Sequence, residues 1–236
     1  MKPRHFRREG HFSQAGNAML FVLIGIVLFA ALTFAFTRSS RSPSGVSSED
    51  ARLYAHQIIS YAEKINGAVQ TIMLQNGCSG TRVSFENTSV AGYSHVPPSP
   101  QKCRVFNSTV GGGMIFESPP AGALTAAGDY LFTGNVCIGG VGTGPYASCA
   151  SDGLKNEELL LILPWVSAEV CVAINRILSN SATIPQEAAG GYDGTKFTGT
   201  YADGFELGSG ASAKCFQSAG GSPGSGYHFH YTLLAH

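Results

Sequence analysis

Hydrophobic residues are distributed along this chain in three distinct ways: one unbroken run, one helical stripe, and a series of short alternating segments. The unbroken run covers residues 18–36, nineteen positions without a charge and with Thr33 as the only polar side chain. At 1.5 Å per residue it predicts a helix of roughly 28 Å, comparable to the ~30 Å hydrocarbon layer of a bilayer. A helix in a soluble core would carry a polar stripe, and this one does not. The expected partner of this run is therefore the lipid bilayer, with a transmembrane helix over 17–37.

The stripe follows a linker, residues 38–47, in which Pro43 and Gly45 oppose helix. Ser47 or Ser48 then offers a cap, and Glu49 and Asp50 suit the positive end of a new helix. Ile58, Ala62, Ile65, Val69 and Ile72 recur at steps of four and three and share one face. Asn76-Gly77 predicts the stop. A stripe of this length is read as a helix packed across a sheet of its own domain, with an oligomeric coiled coil as the alternative.

Beyond residue 78 the pattern breaks into short apolar runs between Gly and Pro clusters: 114–116, 131–133, 136–138 and 159–163, the last ended by Pro164. Ser167 caps a short helix over 168–178, with Cys171, Ile174 and Leu178 along one face. Residues 227–233 alternate aromatic and polar side chains and form the clearest strand. The expected fold class is α+β: an N-terminal membrane helix, then a long amphipathic helix on a mostly antiparallel β-sheet with a second short helix.

Composition narrows the function. Lys+Arg and Asp+Glu both number 15, so no charge excess points to nucleic acid. The basic residues Lys2, Arg4, Arg7 and Arg8 precede the apolar run, and the positive-inside rule keeps that end cytoplasmic. The expected localisation is single-pass in the inner membrane, with residues 48–236 forming a periplasmic or extracellular globular domain. All six cysteines, Cys78, Cys103, Cys137, Cys149, Cys171 and Cys215, lie in that portion, as disulfides in an oxidising compartment would. Six cysteines allow 15 pairings, and sequential pairing is expected: Cys78–Cys103, Cys137–Cys149 and Cys171–Cys215.

A basic leader (residues 1–16) ending in Gly16, followed by Asn17 and an uninterrupted apolar helix, resembles the N-terminus of type IV pilins and pseudopilins. The resemblance implies cleavage between Gly16 and Asn17 by a prepilin peptidase, methylation of the new N-terminus, and a pilin-like fold. It also implies other pilin-like subunits as partners. Pilins usually place Glu at the fifth mature position, and here that position is Phe21. The carboxylate neutralises a neighbouring subunit's terminal amine, so its loss points away from a major filament subunit. The implied role is a minor, tip or non-polymerising subunit of a type IV pilus or type II secretion-like system. The alternative is an unprocessed, signal-anchored extracytoplasmic binding domain. Cleavage would leave 11 Lys+Arg against 14 Asp+Glu, a net charge of −3, which further disfavours nucleic acid.

No catalytic constellation is expected, and no cofactor. His228 and His230 share one strand face with His236 nearby, a pair that can ligate zinc or copper; a solvated strand face explains them without a metal. Gly220-Gly221-Ser222-Pro223-Gly224 matches a serine-hydrolase pattern, but Pro223 has no N–H to offer an oxyanion hole. The glycines of 139–144 read as a turn because Pro145 follows instead of a helix. Asp193, Asp203 and Glu206 match no EF-hand spacing and are expected as solvated turn carboxylates. Asn87-Thr88-Ser89 and Asn107-Ser108-Thr109 are glycosylation sequons by pattern.

Overall fold

The computed structural model describes residues 15–38, 46–142, 149, 157–187, 192, 194–202, 205–208, 210–220 and 224–235, with side chains in the first segment from 19 to 34. The basic leader up to residue 14 and most of the linker lie outside the described residues. The chain divides into two compact units, Met1–Gly45 and Val46–His236.

The first unit contains helix α1, Ala15–Arg38. Among the described residues no helix is long and apolar enough to cross a membrane. The expectation of a transmembrane helix over 17–37, and with it the single-pass inner-membrane localisation, is corrected accordingly.

The second unit opens with α2, Ser48–Asn76. Ser47 caps it, its side chain accepting from Asp50 N at 3.1 Å, and Gly77 closes it in the left-handed region at φ 64°. Every residue of the predicted stripe, Ile58, Ala62, Ile65, Val69 and Ile72, is fully buried. The alternation of buried and exposed turns is set by the 3.6-residue period, so this helix forms where the pattern placed it. The stripe faces its own domain: α2 packs on helix α3, Ala168–Ser179, and on the last strand, where Gln70 Nε2 donates to Leu233 O. Ser167 caps α3 by accepting from Val170 N, and Asn180 ends it in the left-handed region at φ 54°.

Six strands form one sheet: β1 (Leu131–Ile138), β2 (Glu158–Val166), β3 (Gln186–Glu187), β4 (Phe205–Leu207), β5 (Ala213–Ser218) and β6 (Gly226–Leu234). Their spatial order is β3-β5-β6-β2-β1-β4. The three central pairings are antiparallel, whereas β3 with β5 and β1 with β4 run parallel. The sheet is thus mixed and not mostly antiparallel. Its edges also approach each other: Glu187 on β3 accepts a hydrogen bond from the N–H of Gly208, directly after β4, at 3.0 Å. The result is a nearly closed, barrel-like sheet, and the expected pilin-like helix-on-sheet fold with an N-terminal membrane helix is overturned.

Two local expectations also change. Pro164 does not end its strand: β2 continues to Val166 through a register shift between Leu163 and Val166, where the missing proline N–H leaves no ladder bond broken. Trp165, at φ 61°, sits at that irregularity. The runs 131–133 and 136–138 are one strand, β1, interrupted by a second register shift. Between them, a Cβ on Gly134 would lie 2.7 Å from the Phe197 ring, so glycine is required by close packing. Residues 114–116 lie outside the sheet and form no strand.

The three disulfides pair sequentially, as expected: Cys78–Cys103, Cys137–Cys149 and Cys171–Cys215. They close separations of 25, 12 and 44 residues, and the last ties α3 to β5. Loop-closure entropy scales with the logarithm of loop length, giving about 4 kcal/mol for the longest and about 3 kcal/mol for the shortest. Urea denaturation should accordingly show Cys171→Ala with Cys215→Ala losing more stability than Cys137→Ala with Cys149→Ala, by about 1 kcal/mol.

Candidate functional site

Side chains on β2 alternate between two cores. Leu159, Leu161 and Leu163 join α2, α3 and the stacked Phe85 and Phe132 rings on one face; Leu160 and Ile162 join Val136, Ile138, Leu207, Phe216 and Tyr192 on the other. The second core is the concave interior of the curled sheet. It also contains charged and polar groups, and these are the candidate site.

His228 and His230 project into this interior from β6, while Phe229 between them faces the helices. Both histidines are 0 % exposed, so the solvated strand face expected for them is corrected. The period-2 pattern is obeyed; what it could not reveal is that the sheet curls over its polar face. His228 Nε2 lies 3.3 Å from Gly224 O and its Nδ1 3.0 Å from the Tyr192 hydroxyl. A carbonyl only accepts, so Nε2 carries the proton and Nδ1 accepts from Tyr192. Trp165, Tyr192 and Phe216 surround the ring, with centroids 5.4, 5.2 and 5.7 Å away. Burial pushes the His228 pKa down to about 4. His230 is pushed down to about 3, first by burial and then by the Lys214 charge. Neither nitrogen of His230 has a hydrogen-bond partner among the described residues. Both rings are neutral in the folded protein.

Lys214, the cross-strand neighbour of His230, bonds Glu187 Oε1 at 2.6 Å. Both side chains are almost entirely buried. Glu187 therefore has its two oxygens divided between a charge on β5 and the backbone N–H that follows β4. Removing either partner of such a pair leaves an uncompensated buried charge, which is what makes it an effective latch. At the other end of the interior, Glu158 Oε2 accepts from Ile138 N at 2.8 Å while Oε1 has no partner among the described residues. Desolvation raises the Glu158 pKa to about 7, against the opposing backbone hydrogen bonds. Thr133 and Asn135 bond each other beside the β1 irregularity.

Among the described residues of this interior no serine is bonded to a histidine. The Ser218 hydroxyl donates to Gly220 O instead of to a histidine. Among the described residues no three His, Cys, Asp or Glu side chains are placed to hold a metal ion. Ser222, Pro223, His236, Asp193 and Asp203 lie outside the described residues, and Glu206 is exposed on β4. Asn87 and Asn107 each fold an Asx turn, accepting from the N–H groups of Ser89 and Val90, and of Thr109 and Val110. Gly16 and Asn17 fall in the first turn of α1. The Glu187–Lys214 latch, Glu158 and Tyr192 were not singled out from the sequence. Only Glu158 left a signal there, as a charge abutting the apolar run 159–163.

The interior makes stability depend on pH in two opposite ways. Unfolded histidine takes up a proton near 6.5 while folded His228 and His230 resist to about 4 and about 3, so their contribution is lost as pH falls through that interval. Glu158 holds its proton to about 7 when folded but releases it near 4.5 when unfolded, so its contribution is lost as pH rises between those values. Thermal melts should show Glu158→Gln more stable than the parent above pH ~7, with the gain vanishing below pH ~4.5; His230→Leu should flatten the acid-side loss. No family model, curated protein or solved structure matches this chain.

Proposed function

We propose that the protein is an exported interaction subunit and not an enzyme, and that α1 is the element through which it associates. The carrying observation is the surface of α1. Its large apolar side chains from Met19 to Phe34 are all exposed, from 48 % at Ile24 to 79 % at Met19. Between Met19 and Phe34 the one polar side chain is Thr33, and its hydroxyl is turned back onto Phe29 O. A helix apolar on every side is stable only when surrounded by other apolar surface.

Like helices from other subunits supply such surface on all sides, and this is the assembly mode of the pilin-type proteins that the N-terminus resembles. Cleavage after Gly16 by a prepilin-type peptidase would place α1 at the mature N-terminus. Phe21 in place of the usual Glu fits a minor or tip subunit, since it cannot neutralise a neighbour's terminal amine. Three disulfides support an oxidising compartment for the head domain.

The test combines two measurements on protein from its native cell. Intact mass should lack residues 1–16, and a photo-crosslinking residue placed at Phe29 should capture another apolar helix of the same type. Leu28→Asp should abolish that cross-link while shifting head-domain stability by no more than about 0.5 kcal/mol. An intact leader with no cross-link would instead identify an unprocessed exported binding domain without a filament role.

A further inference from the structure

Where α2 packs against α3, the contact is made by small and branched residues, Ala51, Ala55, Ala173 and Ile174 among them, all buried. Small side chains bring the two helices close, and along the rim of that contact lies a groove of about 610 Å³. Arg52 and His56, one helical turn apart on α2, line one wall; Arg176, in the last turn of α3, lines the other. The remaining lining is Ala173, Ile177, Asn180 and Ala182, so no carboxylate faces the three basic side chains.

Arg104 is paired with Glu86 at 3.0 Å and Lys214 with Glu187, but among the described residues neither Arg52 nor Arg176 has an ion-pair partner. Helix packing therefore places Arg52 and Arg176 on the lining of one cavity, and no carboxylate belongs to that lining. Guanidinium is the donor best matched to carboxylate and phosphate, because its planar fork makes two parallel hydrogen bonds to two oxygens. The Asn180 amide and His56 imidazole add further donors at the same rim.

We infer that the groove between α2 and α3 binds an oxyanion, a phosphate or carboxylate group held between Arg52 and Arg176. The site stands on the disulfide-braced head domain and is independent of how α1 is used. Its walls are carried by two helices whose facing residues are buried.

Titration calorimetry of the full chain, disulfides intact, with inorganic phosphate and separately with a hexaglutamate peptide, tests the inference. At least one probe binds, and the affinity falls as salt is raised. Arg52→Gln and Arg176→Gln each weaken binding by about tenfold, and the lysine variants retain more than the glutamine ones. Arg104→Gln leaves binding unchanged. Binding of phosphate alone assigns a free anion as the ligand, whereas tighter binding of the peptide assigns an acidic segment of a partner. Failure of both probes to bind at low ionic strength, or binding that survives both glutamine substitutions, overturns the site. Unchanged urea midpoints for the glutamine variants, both at exposed positions, establish that any loss is local.

Discussion

Five consecutive apolar residues on β2, Leu159 to Leu163, are buried on both faces of the sheet, and the rest of the head domain follows from covering them twice. A strand buried on both sides requires two layers of cover, and among the described residues of this unit the α-helices are α2 and α3. Helices α2 and α3 cover the face that carries Leu159, Leu161 and Leu163. The sheet covers the other face with itself, by curling until its edge strands meet.

That closure explains the polar interior. Edge strands present unpaired backbone groups, and here Glu187 satisfies one of them, the N–H of Gly208, while its other oxygen takes the charge of Lys214. A single carboxylate thereby links β3, β5 and the end of β4. His228 and His230 lie in the space so enclosed, beside Phe216 and Tyr192, and are held neutral by the cost of charging them there. Glu158 at the opposite end is raised toward neutrality by the same desolvation. The interior thus contains groups whose protonation opposes one another, and its polarity belongs to the closing of the sheet more than to any catalytic arrangement.

The disulfides join segments that the sheet's ladders do not pair with each other. Cys171–Cys215 joins the helical layer to β5, Cys78–Cys103 ties the end of α2 to the long irregular stretch before β1, and Cys137–Cys149 closes the glycine-rich segment after it. Gly134, pressed against Phe197, and the left-handed Trp165 mark the places where β1 and β2 depart from regular strands. Both departures let the sheet bend, since an irregularity in one strand increases local twist.

Local periodicity by itself determined much of this protein. The stripe Ile58 to Ile72, the caps at Ser47 and Ser167, the stop at Gly77 and the alternation of 227–233 are all properties of neighbouring residues, and each sits where the pattern placed it. The sequential cystine pairing is one of the fifteen that six cysteines allow, and it is the folded structure that shows it. Tertiary structure decided what periodicity cannot express. The histidines of β6 could be read as facing water because alternation says only that they share a face, and not what that face meets. The Glu187–Lys214 latch joins residues 27 positions apart, the parallel pairings at both sheet edges join strands distant in sequence, and the Arg52–Arg176 groove spans two helices. Such features arise only when segments remote along the chain are brought together, so no local pattern of side chains could have announced them.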